Sequence, residues 1–385
     1  MADAADGLWD VIVVGAGPAG SSAARVAAER GARVLLLDRA RFPRYKTCGG
    51  GIIGTSLQWL PPAVRAEVTR DIRSVVFSLR GRWRIRVRAG RPFLGMVDRE
   101  RFDQALVDAA VAAGAEFRDG TAVRGLEERD GGIRVRTDAE PLRARVVVGA
   151  DGASGRCAAH VGVRVEETDL GLEDEIAVGP GARAGQVLLD WGRQPGSYAW
   201  LFPKGEIAAV GVIARRGNPD ATRAYLARWT ESLGLAQAPV LRSSGHLTRV
   251  RAAGSPVRRG AVLVAGDAAG LLEPWTREGI SAALRSGCWA GAAAAEALDP
   301  ARTETALAGY EQRVAEVFDP EREVGMRVLR VFERAPWVVH AVLRTRPAQR
   351  FFLRVCIGAT TLARACRHRP ARVAVGLAAG RSVRR

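Results

Sequence analysis

The order of apolar and polar positions predicts a strand–helix–strand unit at the start of the chain. Residues 10–14 form a mostly apolar run that leads directly into G-x-G-x-x-G at 15–20 and then into helix-like sequence, and a second apolar run occupies 33–37. Such runs are typical of parallel strands buried on both faces, and the helix between them completes a βαβ unit.

Two later apolar runs, at 144–149 and 261–265, have the same character, and each is followed closely by an acid, Asp151 or Asp267. Ligands of open α/β sheets bind outside the carboxyl ends of the strands. The sequence therefore predicts that both acids lie at one edge of the first sheet.

Other segments predict an antiparallel sheet. Residues 83–88 alternate apolar residues with Arg, and 184–191, 198–203 and 207–212 are strand-like. Within one of these strands Tyr198, Trp200 and Phe202 alternate, so their side chains share one face. This face is either sheet core or the wall of a pocket for an apolar chain.

These elements predict three regions, with further helices over residues 98–113 and 279–298. The regions are a nucleotide-binding domain of residues 1–71, 98–171 and 250–300, an antiparallel-sheet substrate domain of residues 72–97 and 172–249, and a basic helical region of residues 301–385.

The glycine-rich turn predicts dinucleotide binding. Gly15 allows the tight turn, Gly17 lets the backbone approach a pyrophosphate, and Gly20 lets the helix pack close to the strand. Asp38 ends the second strand, where its carboxylate can accept hydrogen bonds from a ribose. An acid at this position favours an unphosphorylated ribose, although the neighbouring Arg39 leaves that choice open. The motif itself does not distinguish FAD from NAD.

Charge is concentrated at the end of the chain. The net charge is +17, and residues 321–385 carry 15 Arg and 3 Glu. Helix-like segments there combine Arg with large apolar residues, a pattern that favours an anionic membrane surface. The alternative is an arginine-rich helical cap on the catalytic domain. Nucleic-acid binding is not expected, because no reading motif accompanies the charge.

The five cysteines have neither zinc-like spacing nor an even number, so neither a metal site nor a disulfide framework is expected. A reducing cytoplasm fits this pattern, with peripheral attachment to the inner face of the membrane as an extension of the charge argument. No signal segment is visible at the start, and no apolar run approaches the roughly twenty residues needed to span a bilayer.

The remaining chemistry points to a bound cofactor. The four His residues, 160, 246, 340 and 368, are separate from every motif and are interpreted as structural, and no acid/base pair or nucleophile triad is evident. Cys48, by contrast, stands beside three consecutive glycines, whose backbone can lie against a flat ring.

The order of these motifs resembles the FAD-dependent oxidoreductases related to aromatic hydroxylases, and within them the geranylgeranyl reductase family. The discriminating pieces are K-T-C-G-G-G at 46–51, against the family's K-P-C-G-G-G, and Y-A-W-L-F-P-K at 198–204, against its Y-x-W-x-F-P-K. The resemblance implies an α/β fold, with a Rossmann-like FAD-binding domain of the GR2 or aromatic-hydroxylase type and an inserted antiparallel-sheet substrate domain.

The turn and the resemblance together imply two sets of site residues. The residues expected to hold FAD are Gly15, Ala16, Gly17, Ala19, Gly20, Asp38, Arg39, Cys48, Gly49, Gly51, Arg99, Val123, Asp151, Asp267, Gly279 and Ile280. The residues expected to form the substrate pocket are Tyr198, Trp200, Phe202 and Lys204.

The implied activity is reduction of carbon–carbon double bonds in an isoprenoid, a geranylgeranyl-type lipid or a prenyl-quinone tail. Reduced flavin would deliver the hydride, and NAD(P)H or another donor would visit transiently, because no second G-x-G-x-x-G is present. Cys48 either relays a proton or packs on the ring, and Thr47 in place of Pro weakens the transfer of that role. The alternative is a flavin-dependent monooxygenase or halogenase, whose W-x-W-x-I-P pattern residues 198–203 echo in part.

Overall fold

The computed structural model of the protein describes residues 7–129, 131–181 and 185–366. Ala184, at the start of a predicted strand, and residues 367–385 of the predicted basic region, with His368, lie outside these ranges.

Eighteen strands lie within the described ranges. They are β1 (Leu8–Val14), β2 (Val34–Leu37), β3 (Gly51–Ile52), β4 (Thr69–Ile72), β5 (Ser74–Leu79), β6 (Arg82–Arg88), β7 (Leu94–Met96), β8 (Glu116–Arg118), β9 (Val123–Arg129), β10 (Gly132–Thr137), β11 (Leu142–Gly149), β12 (Val165–Ala177), β13 (Gln186–Trp191), β14 (Tyr198–Lys204), β15 (Ile207–Arg215), β16 (Val240–Arg251), β17 (Arg258–Arg259) and β18 (Val262–Val264).

Eleven α-helices lie within the same ranges, and a 3₁₀ turn occupies Gly266–Ala269. The helices are α1 (Pro18–Glu29), α2 (Gly54–Leu57), α3 (Pro62–Arg65), α4 (Arg99–Ala112), α5 (Arg156–Val161), α6 (Pro219–Ser232), α7 (Ile280–Glu296), α8 (Thr303–Arg334), α9 (Pro336–Leu343), α10 (Arg346–Cys356) and α11 (Leu362–Cys366).

The first sheet confirms the predicted doubly wound arrangement. Its parallel strands lie in the order β8-β2-β1-β11-β18, so the strand order reverses beside β1. The β9–β10 hairpin extends β11 as an antiparallel meander. Because the parallel strands are covered on both faces, β1 and β2 read as the continuous apolar runs seen in the sequence.

The second sheet has seven strands in the order β16-β12-β15-β14-β13-β5-β6, antiparallel except for β13 beside β5. A small sheet of β3, β7 and β4 joins the two larger ones. The predicted domain boundaries stay a prediction. Strand β12 spans the predicted boundary at 171, β16 spans the one at 249, and β4 spans the one at 71.

Helix α7 packs on α1 at unusually short range. A Cβ atom added at Gly287 or Gly291 would lie 2.1 or 2.2 Å from the carbonyl oxygens of Ala19 and Ala23. Only glycine allows this approach, which fixes the amino terminus of α7 beside the glycine-rich turn.

The C-terminal helices cover the second sheet rather than standing apart from it. On α10, Phe352 packs edge-on against Phe77 of β5, with ring centroids 5.2 Å apart, and Leu343 at the end of α9 is buried in the same cluster. None of the helices in the described part of the chain combines the length and apolar character that crossing a bilayer requires.

Candidate functional site

The three glycines of the turn differ in what surrounds them. Gly15 has φ +100°, and an added Cβ would lie 2.3 Å from the Ala150 carbonyl oxygen, whereas at Gly20 it would lie 1.7 Å from the Gly15 carbonyl oxygen. At Gly17 the nearest atom would be 3.5 Å away, on the Arg44 guanidinium. Gly15 and Gly20 therefore serve packing, while Gly17 borders open space.

Asp38 ties the ends of β1 and β2 together. Its carboxylate accepts the Ala16 N–H at 2.8 Å and the Ala40 N–H at 2.9 Å. A carboxylate has about four acceptor positions, so lone pairs remain for a ribose hydroxyl. Ala16 is fully buried beneath the turn and contributes its amide to Asp38.

A compact positive cluster lies beside the turn. Arg99 donates from Nε and Nη2 to Asp103 at 2.9 and 2.8 Å, and Arg44 Nη2 lies 3.0 Å from the same carboxylate. Arg44 Nη1 is buried with no partner among the described residues. Arg44 Nε also lies 4.0 Å from Asp38, so the donor left for a pyrophosphate is the buried Arg44 Nη1. Sequence reasoning found Arg99 but missed Arg44, whose only signal is its place just after β2.

Asp151 caps a helix as well as facing the cavity. Its Oδ2 accepts the N–H groups of Arg156 and Cys157 at 2.6 and 3.0 Å, at the start of α5. Its Oδ1 is buried without a partner among the described residues, and burial raises the pKa of the group. This oxygen is therefore available to a hydroxyl or amide donor of a ligand.

The Cys48 backbone is held from both sides by the second sheet. Glu173 Oε1 accepts the Cys48 N–H at 3.2 Å, and Lys204 Nζ donates to the Cys48 carbonyl oxygen at 3.1 Å and to Glu175 at 3.2 Å. The Trp200 indole N–H donates to Glu173 Oε2 at 3.1 Å. The Y-x-W-x-F-P-K strand thus positions the cysteine loop, and a compact ammonium suits its two acceptors.

Gly49 makes room for the aromatic wall. A Cβ at this position would lie 2.2 Å from the Phe202 ring. Phe202 therefore lies directly against the glycine loop, and Tyr198 and Trp200 face the same cavity. Between them, Ala199 and Leu201 are buried in the cluster that contains Tyr225 and Trp229 of α6. The shared face is a pocket wall, and the opposite face is the sheet core.

His246 belongs to the site, contrary to the sequence interpretation. It lines the cavity, and its Nε2 lies 3.6 Å from Asp267. Burial acts to raise the pKa of Asp267, but His246 and the charge of Lys46 hold it below its usual value. Burial, with the charge of Arg99, lowers the pKa of Lys46 to about 8. His160 and His340 lie outside the cavity lining; His340 contacts the Trp83 carbonyl.

The amino terminus of α7 opens into the same space. Gly279 and Ile280 line the cavity, and Glu278 accepts the Ser281 N–H at 2.7 Å. Burial, with the charge of Glu273, raises the pKa of Glu278 to about 7. Arg277, at φ +57°, is held by Asp169 at 3.0 Å. Both side chains stand in the P-W-T-R-E-G-I segment at 274–280, which belongs to the family resemblance, yet sequence reasoning assigned them no role in the site.

All these groups surround one cavity of about 1360 Å³. Of the predicted site residues, all line it except Ala16, Gly20 and Lys204. The cavity continues past the aromatic wall into an apolar arm that sequence reasoning did not foresee. Side chains of α8, α9 and α10 line this arm, among them Val328, Val331, Phe332, Val339, Phe351 and Phe352.

Comparison with known proteins places the chain in a family. A family profile described as an FAD binding domain matches residues 9–319. A geranylgeranyl diphosphate reductase of Rhodobacter capsulatus is 33% identical over 330 residues, which cover 80% of this chain and 82% of the relative. The chain belongs to the geranylgeranyl reductase family of FAD-dependent oxidoreductases. A digeranylgeranylglycerophospholipid reductase of Methanocaldococcus jannaschii, 30% identical over the same shares of both chains, is another relative of this reductase.

Solved structures agree on the fold of the reductase family member. A geranylgeranyl bacteriochlorophyll reductase-like protein of Thermoplasma acidophilum has a TM-score of 0.76 at 22% identity, with 96% of each chain covered. The flavin-dependent brominase Bmp2 has a TM-score of 0.74 at 18% identity, covering 96% of this chain and 98% of its own. At such identities these likenesses show the fold alone.

The residues present fit FAD. The open face of Gly17, the unpartnered Arg44 Nη1 and the unpartnered Asp151 Oδ1 form a cradle along the carboxyl edge of the first sheet. The cradle leads to the amino terminus of α7, whose positive end suits an anionic ring system. The groove is open rather than filled by its own side chains.

Proposed function

We propose that this flavoprotein reduces carbon–carbon double bonds of an isoprenoid chain by hydride transfer from reduced FAD. One observation carries the proposal: the nucleotide cradle and the apolar arm are parts of one cavity, joined at the aromatic wall. An alkene held in the arm would therefore meet the flavin end of the cradle.

The lining of the arm supports a hydrocarbon substrate. Among the described residues, mostly valine and phenylalanine side chains line it, and none of those that line it from α8, α9 and α10 is an acid or base that would polarise a carbonyl or activate water. Burial of apolar surface is worth about 25 cal/mol per Å², so a long isoprenoid chain needs no polar contact to be held.

The residues of the chain would bind, orient and exclude water. Arg44, Arg99 and Asp38 would hold the phosphates and ribose, and the α7 amino terminus would favour negative charge on the ring. Reduced FAD supplies the hydride when bound. The neighbouring carbon needs a proton, and Cys48, which lines the cavity between Glu173 and Lys204, either relays it or packs on the ring.

We also propose an electron donor and a location in the cell for the enzyme. NAD(P)H or another donor would visit the cavity transiently, since the turn at 15–20 is the one G-x-G-x-x-G recognised in the sequence. We also propose that the enzyme works in the cytoplasm at the inner face of the membrane, because its proposed substrate is a lipid or a prenyl-quinone tail. The basic C-terminal region would provide the attachment.

Anaerobic single turnover tests the activity. Protein loaded with FAD is reduced with dithionite, freed of excess reductant and mixed with geranylgeranyl diphosphate or with a geranylgeranylated lipid. We expect the flavin absorbance to return and the product mass to rise by two hydrogens for each bond reduced. The proposal is overturned if the flavin absorbance returns without a change in substrate mass. It is also overturned if no isoprenoid restores the absorbance.

The alternative is oxygen-dependent hydroxylation or halogenation. Its support is the partial W-x-W-x-I-P echo at 198–203. The same reduced protein, exposed to oxygen and bromide with a phenolic substrate, would then give a product heavier by oxygen or bromine. That outcome, without isoprenoid reduction under anaerobic conditions, favours the alternative.

A further inference from the structure

Helix α9 leaves an apolar face uncovered. Its inner side is buried through His340 and Leu343. On its outer side Trp337 is 63% exposed and Val342 54% exposed, and Ala341 between them is also exposed. Together with Val338 these side chains form what we call the α9 face. A helix that is apolar on both sides is normally buried, so the uncovered side indicates a partner.

A second exposed tryptophan adjoins this helix. His340 Nε2 lies 2.5 Å from the Trp83 carbonyl oxygen at the start of β6, and the Trp83 ring is 62% exposed. Among the described residues, Trp83 and Trp337 are the two tryptophans with such exposure. Tryptophan is the side chain enriched where the acyl region of a bilayer meets the headgroups.

Arginines flank the α9 face on both sides, and Glu333, just before Arg334, is the acid next to them in the chain. Arg334 precedes the helix, and Arg344, Arg346 and Arg350 follow it, all exposed. No Asp or Glu occurs between residues 334 and 366, or between residues 72 and 97, which include Trp83. Arginine side chains near an anionic leaflet are attracted to it, so this combination matches a negatively charged lipid surface.

The α9 face also borders the mouth of the apolar arm. Val338 and Val342 belong to the exposed face and line the cavity as well. A hydrocarbon chain leaving a bilayer at α9 would therefore pass from lipid into the arm without crossing water. This route for the hydrocarbon chain rests on the proposed function, whereas the exposed surface itself does not.

We propose that the α9 face docks on an anionic phospholipid bilayer. Trp337, Ala341 and Val342 enter the headgroup and acyl boundary, the flanking arginines contact lipid phosphates, and the isoprenoid enters the cavity over the face formed by Val338 and Val342. Helices of this type lie in the plane of the interface and bind by apolar burial plus charge attraction.

Co-sedimentation with vesicles tests the proposal on the full chain loaded with FAD. The probe is vesicles of equimolar phosphatidylcholine and phosphatidylglycerol at low salt, with pure phosphatidylcholine as the uncharged comparison. The variants are Trp337→Ser and Ala341→Glu, neither of which lines the cavity. The matched control is Leu241→Ser, since Leu241 is 56% exposed on β16. Retained FAD and unchanged circular dichroism establish folding.

We expect wild type and Leu241→Ser to bind the anionic vesicles, with binding weakened at least about tenfold in each α9 variant, the equivalent of about 1.4 kcal/mol. Binding of wild type to vesicles of pure phosphatidylcholine should be weaker still than binding of the α9 variants to the anionic vesicles. Equal binding by wild type and Ala341→Glu overturns the proposal, because the charge of the remaining chain would then suffice. Wild type is also mixed with duplex DNA. If it binds DNA more tightly than the vesicles, and DNA abolishes vesicle binding, the surface binds nucleic acid and the proposal is overturned.

Activity separates this inference from the proposed function. We expect Trp337→Ser and Ala341→Glu to reduce an isoprenoid lipid in detergent micelles at the wild-type rate and the same lipid in vesicles at least about tenfold more slowly. Vesicle binding without any isoprenoid reduction would refute the function and leave the surface standing. Reduction in detergent without vesicle binding would do the reverse.

Discussion

At the residue scale, the glycines of the turn show how one motif divides between folding and binding. Gly20 is required because its space is taken by the Gly15 carbonyl, whereas the space beside Gly17 is open and reached only by Arg44. The sequence motif requires glycine at both positions and does not distinguish them. The structure shows that backbone occupies the space beside Gly20 and that the space beside Gly17 is open.

We therefore expect Gly17→Ala and Gly20→Ala to fail in different ways. Gly17→Ala should fold, because φ at this position is −76° and the methyl group meets no backbone, yet bind FAD at least about tenfold more weakly. Gly20→Ala should unfold at much lower denaturant, because backbone must move. FAD titration and urea unfolding of both variants check this, and tight FAD binding by Gly17→Ala would contradict the placement of the cofactor.

Lys204 provides a second test at this scale. Its ammonium is 8% exposed and joins Glu175 to the Cys48 carbonyl. Lys204→Met leaves both acceptors unpaired, and breaking a buried pair from one side costs about 3–5 kcal/mol. We expect urea unfolding to show that Lys204→Met lowers the free energy of unfolding by this amount. The double variant with Glu175→Gln should lose less. A double variant no better than the single would show that the two side chains act independently.

The residues that sequence reasoning found and those it missed differ in a physical way. Asp38, Cys48 and Gly279 stand inside local motifs, so their place at a strand or helix end follows from the chain itself. Arg44 and His246 enter the site through contacts with Asp103 and Asp267, far away in sequence. Lys204 was expected in the pocket because its neighbours were, yet it lies behind the cavity lining.

At the element scale, the amino terminus of α7 couples a carboxyl group to the helix. Burial keeps the pKa of Glu278 near 7 in the folded protein, against 4.5 for an ordinary Glu. Between these values the unfolded chain loses the proton first. The contribution of Glu278 to stability is therefore fully present below about pH 4.5 and is lost as the pH rises to about 7.

Glu278→Gln should remove this slope, while its amide oxygen can still accept the Ser281 N–H. We expect the free energy of unfolding of the variant to exceed that of wild type by about 1–3 kcal/mol near pH 8 and to match it near pH 4.5. Urea unfolding of the apoprotein across this range is the measurement, with the exposed Glu231→Gln as control. An equal gain at both ends of the range would contradict the assignment.

The apolar arm is the other feature that belongs to whole elements. Helices α8, α9 and α10 each contribute one side of it. The amphipathic pattern of these segments was visible in the sequence, but it fits a membrane, a cap or a cavity wall equally well. Only the packing of α10 on β5 decides which side faces the cavity.

Narrowing the arm should discriminate by chain length. Val339→Trp adds an indole to the lining of the arm. We expect kcat/KM for a geranylgeranyl substrate to fall at least about tenfold, with little change for a prenyl chain of one isoprene unit. Steady-state kinetics with both substrates check this, and Val240→Trp on the exposed part of β16 serves as control. Equal losses for both substrates would place the reacting bond elsewhere.

At the scale of the whole molecule, the cavity is the junction of every large unit. The first sheet, the second sheet and the C-terminal helices all contribute to its lining. Tyr198 of the second sheet donates to the Thr276 carbonyl oxygen at 2.7 Å, and Arg277 reaches Asp169. A ligand in the cavity therefore touches elements that are distant in the chain.

We expect FAD to stabilise the protein as one cooperative unit. Free FAD at about one hundred times its Kd should add about 2.7 kcal/mol to the free energy of unfolding. Thermal unfolding followed by near-ultraviolet and far-ultraviolet circular dichroism should give one midpoint that rises with FAD concentration. A separate unfolding transition of the second sheet, with a midpoint that does not change with FAD concentration, would contradict the shared role of the cavity.

The extent of the family match has a consequence for how such enzymes diversify. The shared profile ends at residue 319, and much of the apolar arm comes from residues beyond it. Under the proposed function, sequence changes in the final helices would alter the choice of substrate and leave the nucleotide cradle intact. Exchange of this segment between relatives is a practical route to new specificities.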